Sequence, residues 1–429
     1  MSEPAANANS ITLDQIEARM VDPSIIRKMV RGYFERVSKD PPQIDQNILT
    51  ISCIDSRLPP ARVLGQGHGQ AYAIQTVANV VPRFDPGVSL QDQSIEVAAG
   101  IQYAVDHVGV KEIIILGHTD CGGAEARVIQ DSSMTSVNRW MSHVCTHHDH
   151  LHAQGSISIP MLRLQHPQAY EALRRVSERE GLTTGLKNIQ DMPFVAQAVK
   201  RTRLSLAALM CEMQEGRLEL IDGDIPAFKA SAELIRRFQT FKEEAWGQDG
   251  YMHDLVANGQ RPKALIVTGI SPYIAPENVF GIEPGDSFVH RRLGGHYQRR
   301  EKSDGLDATI EFAVAVKQVE SLVFVGHRHD VNQDYAEGKM DRHSLVSGFL
   351  EKCVPDIRQQ RLAGMNPDDM HEQNLRTTYF NALKHPTVEQ AVRDKKLSIA
   401  LVLVDYENKS MEFYDPQNNE FREVIPPSF

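Results

Sequence analysis

The chain has 429 residues, 41% of them hydrophobic and 24% charged, and a formal net charge of −10. Those are the values of a soluble globular protein of two or three domains. The acidic balance speaks against a general nucleic-acid binder or a polybasic membrane binder, and no apolar run reaches the ~18 residues of a membrane span.

The opening, MSEPAANANSITLDQ, lacks a basic start followed by an apolar stretch, so no secretory signal is expected. Five cysteines make no disulfide framework. Reduced thiols and a cytoplasmic location are the expectation, with some thiols available as metal ligands. Residues 11–38 read as two amphipathic helices split by Asp22-Pro23, with Asp22 a cap and Pro23 at a helix start. ILTISCIDSR, residues 48–57, is an apolar strand running into a turn that carries Cys53, Asp55 and Arg57. A second strand follows in GQAYAIQTVAN from Gly69. SIEVAAGIQYAVDHVGVKEIIILGH then reads as a helix and a strand ending at His118, with Cys121 just beyond in TDCGG. An insert holds HVCTHHDHLH, with His143, Cys145, His147, His148, His150 and His152. The pairs His143/His147 and His148/His152 have chelating spacing, but an exposed polar helix face is the better reading without a supporting context. PFVAQAVKRTRLSLAALMCEMQEGRLELID, from Pro193, reads as helix, strand and hairpin.

The second half repeats the first. PTVEQAVRDKKLSIALVLVDYENKSMEFYD, from Pro386, matches the Pro193 segment over 30 residues at an offset of 193. ATIEFAVAVKQVESLVFVGH ends at His327 as the earlier segment ends at His118, and GDSFVHRRLGG lies 216 residues after GQAYAIQTVAN. Alternating strands and helices predict an α/β fold with a mostly parallel sheet in each repeat. The expected division is an N-terminal helical arm (1–40), a first domain (41–225), a second helical arm (226–258) and a second domain (259–429). The arms are expected to pack on a neighbour and the halves to dock.

Ligands gather beyond the carboxyl ends of strands in open α/β sheets. The fold therefore brings Cys53 beside His118 and Cys121. Two thiolates and an imidazole suit zinc, and three protein ligands leave one position open, as in catalytic sites. Arg57 can hold Asp55 by a bidentate pair, and the N–H of Gly122 is open to a substrate oxygen. Singly, each residue has an ordinary explanation: a buried thiol or a turn-forming Asp or Ser. Their joint spacing favours the metal reading.

C-x-D-x-R, with H-x-x-C-G-G further on, resembles the β-class carbonic anhydrases. The likeness extends through Q-T-V-A-N-V-V-P and I-Q-Y-A-V and is nearest the plant-type branch. It covers nearly the whole chain as two β-carbonic-anhydrase-like domains docked as a pseudo-dimer. Gln75 and Thr76 depart from the family's Arg-Asn. The resemblance implies reversible hydration of carbon dioxide to bicarbonate by a zinc-bound hydroxide. It implies one zinc ion per chain on Cys53, His118 and Cys121, with Asp55 and Arg57 as the catalytic dyad and Val77 in the pocket.

In the second repeat Gly269 stands for Cys53, Ser271 for Asp55 and Tyr273 for Arg57; His327 is kept, and Asp330 replaces Cys121. This copy is expected to be metal-free. A second metal on His327, His329 and Asp330 lacks a ligand from the first strand. In the family each active site lies at a dimer interface, lined by a glutamine and two aromatics of the neighbour. Those map to Gln260, Phe288 and Phe312, so the second repeat is expected to complete the pocket of the first, with Gln260 bonding a substrate oxygen. Their counterparts Tyr72 and Tyr103 read as core aromatics, Cys211 and Cys353 as buried thiols, and His68 as loop. The expected partners are carbon dioxide and bicarbonate, no nucleic acid, and a second copy of the chain giving a pseudo-tetramer. Two other activities share the motif: a zinc hydrolase of carbonyl sulfide or carbon disulfide, and a non-catalytic bicarbonate sensor or scaffold.

Overall fold

A computed structural model describes residues 9–37, 47–144, 159–221, 231–298, 304–328, 331–354 and 356–427. Its strands, in chain order, are β1 (Ser10–Ile11), β2 (Ile48–Cys53), β3 (Ala71–Thr76), β4 (Glu112–His118), β5 (Ser205–Glu212) and β6 (Arg217–Leu220) from the first half. The second half supplies β7 (Ala264–Thr268), β8 (Ser287–Arg291), β9 (Ser321–His327), β10 (Ser398–Asp405), β11 (Ser410–Asp415) and β12 (Glu420–Val424). The runs ILTIS, EIIIL and ALIVT are buried at almost every position because helices cover both faces of these parallel strands. Proline at the first helical turn starts the helices Pro193–Lys200 and Pro386–Arg393, where its missing N–H costs nothing.

All twelve strands lie in one sheet, ordered β1-β12-β11-β10-β9-β7-β8-β3-β2-β4-β5-β6. In the first half β2 pairs in parallel with β3 and β4, and β4 with β5; in the second β7 pairs in parallel with β8 and β9, and β9 with β10; the hairpins β5–β6 and β10–β11 are antiparallel. The halves meet edge to edge where β3 pairs antiparallel with β8 through Gln75 and Arg291. The seam is reciprocal. Val289 N–H donates to Ile54 O (3.3 Å) and Ala73 N–H to Ile270 O (3.2 Å), equivalent bonds with the repeats exchanged. That is the pattern of a two-fold interface, in which residue i meets j and j meets i, here within one chain.

The arms cross over. The helix Ser24–Val37 buries Ile26, Met29, Val30 and Tyr33 with Ala264, Ile266 and Phe280 of the second repeat. Gly32 has no room for a side chain there: a Cβ would lie 2.1 Å from the Phe280 carbonyl oxygen. The helix Ser231–Trp246 packs Phe238, Phe241 and Ala245 against Leu58, Leu64 and Leu209 of the first repeat. Asp22 accepts the Ser24 N–H at 2.8 Å just ahead of the helix Ser24–Val37. One feature departs from the sequence reading: Ser10–Ile11 is an edge strand on β12 of the other repeat, ahead of only a short helix, Leu13–Glu17. Among the described residues no helix is long and apolar enough to cross a membrane.

Candidate metal centre and pocket

Parallel pairing sets the site. β2 lies between β3 and β4, so Cys53 at the end of β2 and His118 at the end of β4 emerge side by side. Cys121 follows one turn later, immediately before the helix Gly122–Ile129. The two thiols and the imidazole place their donor atoms within 4.8 Å of one another, all three residues buried, and no other such cluster occurs among the described residues. Cys53 Sγ and Cys121 Sγ are 3.9 Å apart.

The His118 ring is oriented by its backbone. Nδ1 lies 2.8 Å from Thr119 O, which can only accept, so Nδ1 carries the proton and Nε2 presents its lone pair. That Nε2 is buried and has no hydrogen-bond partner among the described residues. An orphaned imidazole nitrogen beside two thiols is costly unless something binds it. Zinc fits the donor set, and the Nδ1 bond is the support that metal-ligating histidines ordinarily have.

Asp55 and Arg57 form the expected pair. Arg57 Nε donates to Asp55 Oδ1 (2.9 Å) and Nη2 to Oδ2 (2.8 Å). The Arg57 backbone N–H adds a third bond to Oδ1 at 3.0 Å. Both side chains are buried. Burial pushes the Asp55 carboxyl up, but the charge and hydrogen bonds of Arg57 outweigh it and hold it well below the usual carboxylate range. Asp55 Oδ2 stands 3.6 Å from His118 Nε2, next to the metal-facing atoms. Asp120 takes a left-handed backbone, φ 60°, and its carbonyl accepts Arg57 Nη2 at 2.9 Å.

The second repeat reaches this group directly. Gln260 Nε2 donates to Asp55 Oδ2 at 2.6 Å, and its Oε1 accepts from Ser56 N (3.1 Å) and Ser56 Oγ (2.9 Å). The amide thus grips the turn of the first repeat, which the sequence reading had not placed on Gln260. One Nε2 hydrogen remains for another acceptor. Phe288 and Phe312 pack edge to face, 5.8 Å between centroids. Phe312 sits on a π-helical turn, Glu311–Val316, and its Cζ lies 3.0 Å from where a Cβ on Gly122 would stand. Val77 is buried nearby, its γ-methyl 2.7 Å from the Cβ position of Gly123, and its carbonyl accepts Trp140 Nε1 at 3.1 Å.

Glu178 is a residue that motif reading passed over. It lies on the helix Pro167–Gln190, and its Oε1 accepts the Cys121 N–H at 3.0 Å. Burial pushes its carboxyl up to about 7 against the pull of that bond. The signal was present: Glu178 falls on the buried stripe Ser177, Gly181, Leu182, Gly185, Leu186 at helical spacing. Gln75, where the family has arginine, donates Nε2 to Cys53 O at 3.3 Å. The second repeat keeps an arginine there; Arg291 binds the carbonyls of Gly269, Ile270 and Ser271.

The corresponding place in the second repeat is filled with rings. Tyr273 stacks on His327, 6.1 Å between centroids and 19° between planes, and Tyr406 packs on both. Ser271 Oγ accepts the Tyr273 N–H at 3.3 Å. His68 is more than loop: its Nε2 meets Tyr273 O at 3.2 Å, which brings a first-repeat residue into this cluster. Tyr72 and Tyr103 pack together at 6.2 Å, and the Tyr103 hydroxyl reaches Asp334 Oδ2 of the second repeat at 3.2 Å. His329 and Asp330 lie outside the described residues, as do Cys145, His147, His148, His150 and His152. His143 is half-buried against the Trp140 ring rather than on an open polar face. Cys211 and Cys353 are buried thiols, as expected.

Comparison with known proteins gives the same reading twice over. A family model described as carbonic anhydrase matches residues 48–218 and again 265–411. A carbonic anhydrase of Pseudomonas aeruginosa is 30% identical over 188 residues, 43% of this chain and 77% of that protein. A beta carbonic anhydrase 3 of Arabidopsis thaliana is 25% identical over 191 residues, 43% of this chain and 68% of the relative. A solved tetrameric beta-carbonic anhydrase of Sordaria macrospora is 22% identical, with a TM-score of 0.31 over 46% of this chain and 88% of that one. With the family model matched in both halves, the chain belongs to the carbonic anhydrase family, as a β-class member that carries the family domain in duplicate.

Proposed function

We propose that the first repeat catalyses the reversible hydration of carbon dioxide and that the second repeat supplies one wall of its pocket. The observation that carries this is the convergence of Cys53, His118 and Cys121, with the Asp55–Arg57 pair beside them and Gln260 bonded to Asp55 from the other repeat. Cys53, His118 and Cys121 would hold zinc, one ion per chain, which supplies a Lewis acid that makes water nucleophilic near neutral pH.

The chain's own groups do the rest. Arg57 keeps Asp55 anionic, so Oδ2 accepts a hydrogen bond from the attacking water and aims its lone pair at the substrate. Gln260 fixes the same oxygen and turns its remaining N–H toward a substrate oxygen. Phe288 and Phe312 give the apolar gas an apolar surface and keep bulk water out. The N–H of Gly122, at the start of its helix, faces charge developing on the substrate. The absence of a side chain at Gly122 lets Phe312 close over it. The reciprocal seam and the crossed arms support a covalent pseudo-dimer. Two such chains would form a pseudo-tetramer.

The test is stopped-flow carbon dioxide hydration on zinc-loaded protein, native against Asp55→Asn. Loss of the anionic acceptor that orients the attacking water should lower kcat/KM by about 10²-fold or more with zinc content unchanged. An unaltered rate, or a native protein that binds zinc yet hydrates carbon dioxide no faster than buffer, contradicts the reading.

A further inference from the structure

Between the repeats, away from the metal centre, lies a cavity of about 440 Å³. None of the metal-centre residues named above lines it. Its walls come from the loop Arg83–Ser94 and the helix start at Glu96 in the first repeat, and from Arg292, Asp304 and the helix Leu345–Cys353 in the second. A volume of this size is typical of small-molecule sites.

Arg292 is the unusual wall. Its side chain is 1% exposed, yet among the described residues its Nε and Nη1 have no hydrogen-bond partner. The rest of the guanidinium is held. Nη2 donates to Asp304 Oδ2 at 3.0 Å and contacts Cys353 Sγ at 3.3 Å, and the plane lies over the Phe349 ring at 4.8 Å. Nε is 3.6 Å from Glu96 Oε1, an ion pair too long for a hydrogen bond. Ser94 Oγ, on the opposite wall, is also buried without a partner among the described residues.

The two carboxylates nearest Arg292, Glu96 and Asp304, leave its Nε and Nη1 without a hydrogen bond, because their oxygens are turned to other partners or to Nη2. Glu96 Oε1 binds His290 Nε2 at 2.8 Å and Oε2 accepts the Gly305 N–H at 2.9 Å. Asp304 Oδ1 caps the helix Gly305–Ile310 through Leu306 N (3.0 Å) and Asp307 N (3.2 Å). Lys352, buried at 6% exposure, donates to Gln93 O at 3.1 Å. Arg292 Nε and Nη1 have no acceptor within hydrogen-bond distance among the described residues. This guanidinium, fixed by stacking, by Asp304 and by the ion pair of Nε with Glu96, is suited to a planar or tetrahedral oxyanion.

We infer that this inter-repeat cavity binds a small organic anion, its carboxylate or phosphate seated on Arg292 and Ser94 and its body against Phe349 and Ile95. A bare ion would leave most of the volume empty, which is why the ligand is assigned an apolar body. Arg292 comes from one repeat and Ser94 from the other, so such a ligand clamps the seam. The pairing is built only once in the chain: by the repeat offset of 216, Thr76 stands where Arg292 does.

The test is isothermal titration of the full-length, zinc-loaded protein with inorganic phosphate and, separately, with succinate, which distinguishes the phosphate from the carboxylate source. At least one should bind saturably. Ser94→Ala should weaken that binding about tenfold, and Arg292→Met should abolish it; Arg292→Lys should restore only part, since the fork is lost. Ser94→Ala keeps the test decisive if the arginine variants do not fold. Three results overturn the inference: no saturable binding of either anion, binding unchanged by Ser94→Ala, or binding unchanged by a folded Arg292→Met. The last two would mean an adventitious ion only.

Discussion

Two sites built on the same strands have opposite contents. In the first repeat the end of β2 carries Cys53, the turn carries Asp55 and Arg57, and His118 Nε2 is left facing two thiols. In the second the same backbone carries Gly269, Ser271 and Tyr273, and the tyrosine ring covers the histidine. The difference teaches that a parallel strand end is a general platform whose chemistry rests on a few side chains. The second platform is packed with rings, Tyr273, Tyr406 and His68 filling the space. Gln260, just before β7, bonds Asp55 of the first repeat, and Phe288 lies on the neighbouring β8.

The comparison can be broken most severely at Cys53. Cys53→Ser makes the first site resemble the second in lacking its thiolate. It should reduce zinc to trace levels by metal analysis and hydration to the uncatalysed background, because two ligands do not hold a catalytic zinc. Full zinc content in that variant contradicts the ligand assignment.

A smaller effect is expected at Glu178. It supports the loop of Cys121 from behind and touches no substrate. Glu178→Gln should weaken zinc retention against a chelator by about 10–100-fold, the range for residues that support ligands. Unchanged chelator competition shows the bond to be incidental. The smallest effect is expected in the other copy. Gly269→Cys restores a thiol there, with Ile274 Cδ1 only 3.2 Å from the new Cβ. Zinc should stay at one ion per chain, since Tyr273 still lies across His327. A rise to two sharpens the history of the repeat but ends the reading of it as closed.

Much of this was legible in the sequence, for identifiable reasons. Cys53, Asp55 and Arg57 lie within five residues, and the apolar runs before Cys53 and His118 fix the ends from which the ligands emerge. Gln260, Phe288 and Phe312 were marked by the resemblance to the β-class carbonic anhydrases rather than by any local pattern, and Phe288 and Phe312 have counterparts in Tyr72 and Tyr103 at offsets of 216 and 209. What stayed hidden is long-range. An amphipathic helix shows which face is buried but not what buries it, so the exchange of arms between repeats could not be read from Ile26 or Phe238. Ser10–Ile11 is a strand only because Glu423 and Val424 offer it an edge. Glu178 carries no motif, and only its place on a buried helical stripe marks it. His68 read as loop because nothing local links it to Tyr273, 205 residues away.

The central claim is that one working pocket is shared by both repeats. It is tested most directly by kcat/KM for carbon dioxide hydration in Gln260→Ala and Phe312→Ala, each folded and carrying zinc at the native stoichiometry. These residues lie outside the first repeat, so a self-sufficient site would not notice them. The account predicts a loss of about 10–100-fold in each, with zinc retained. Native rates in both variants would contradict it.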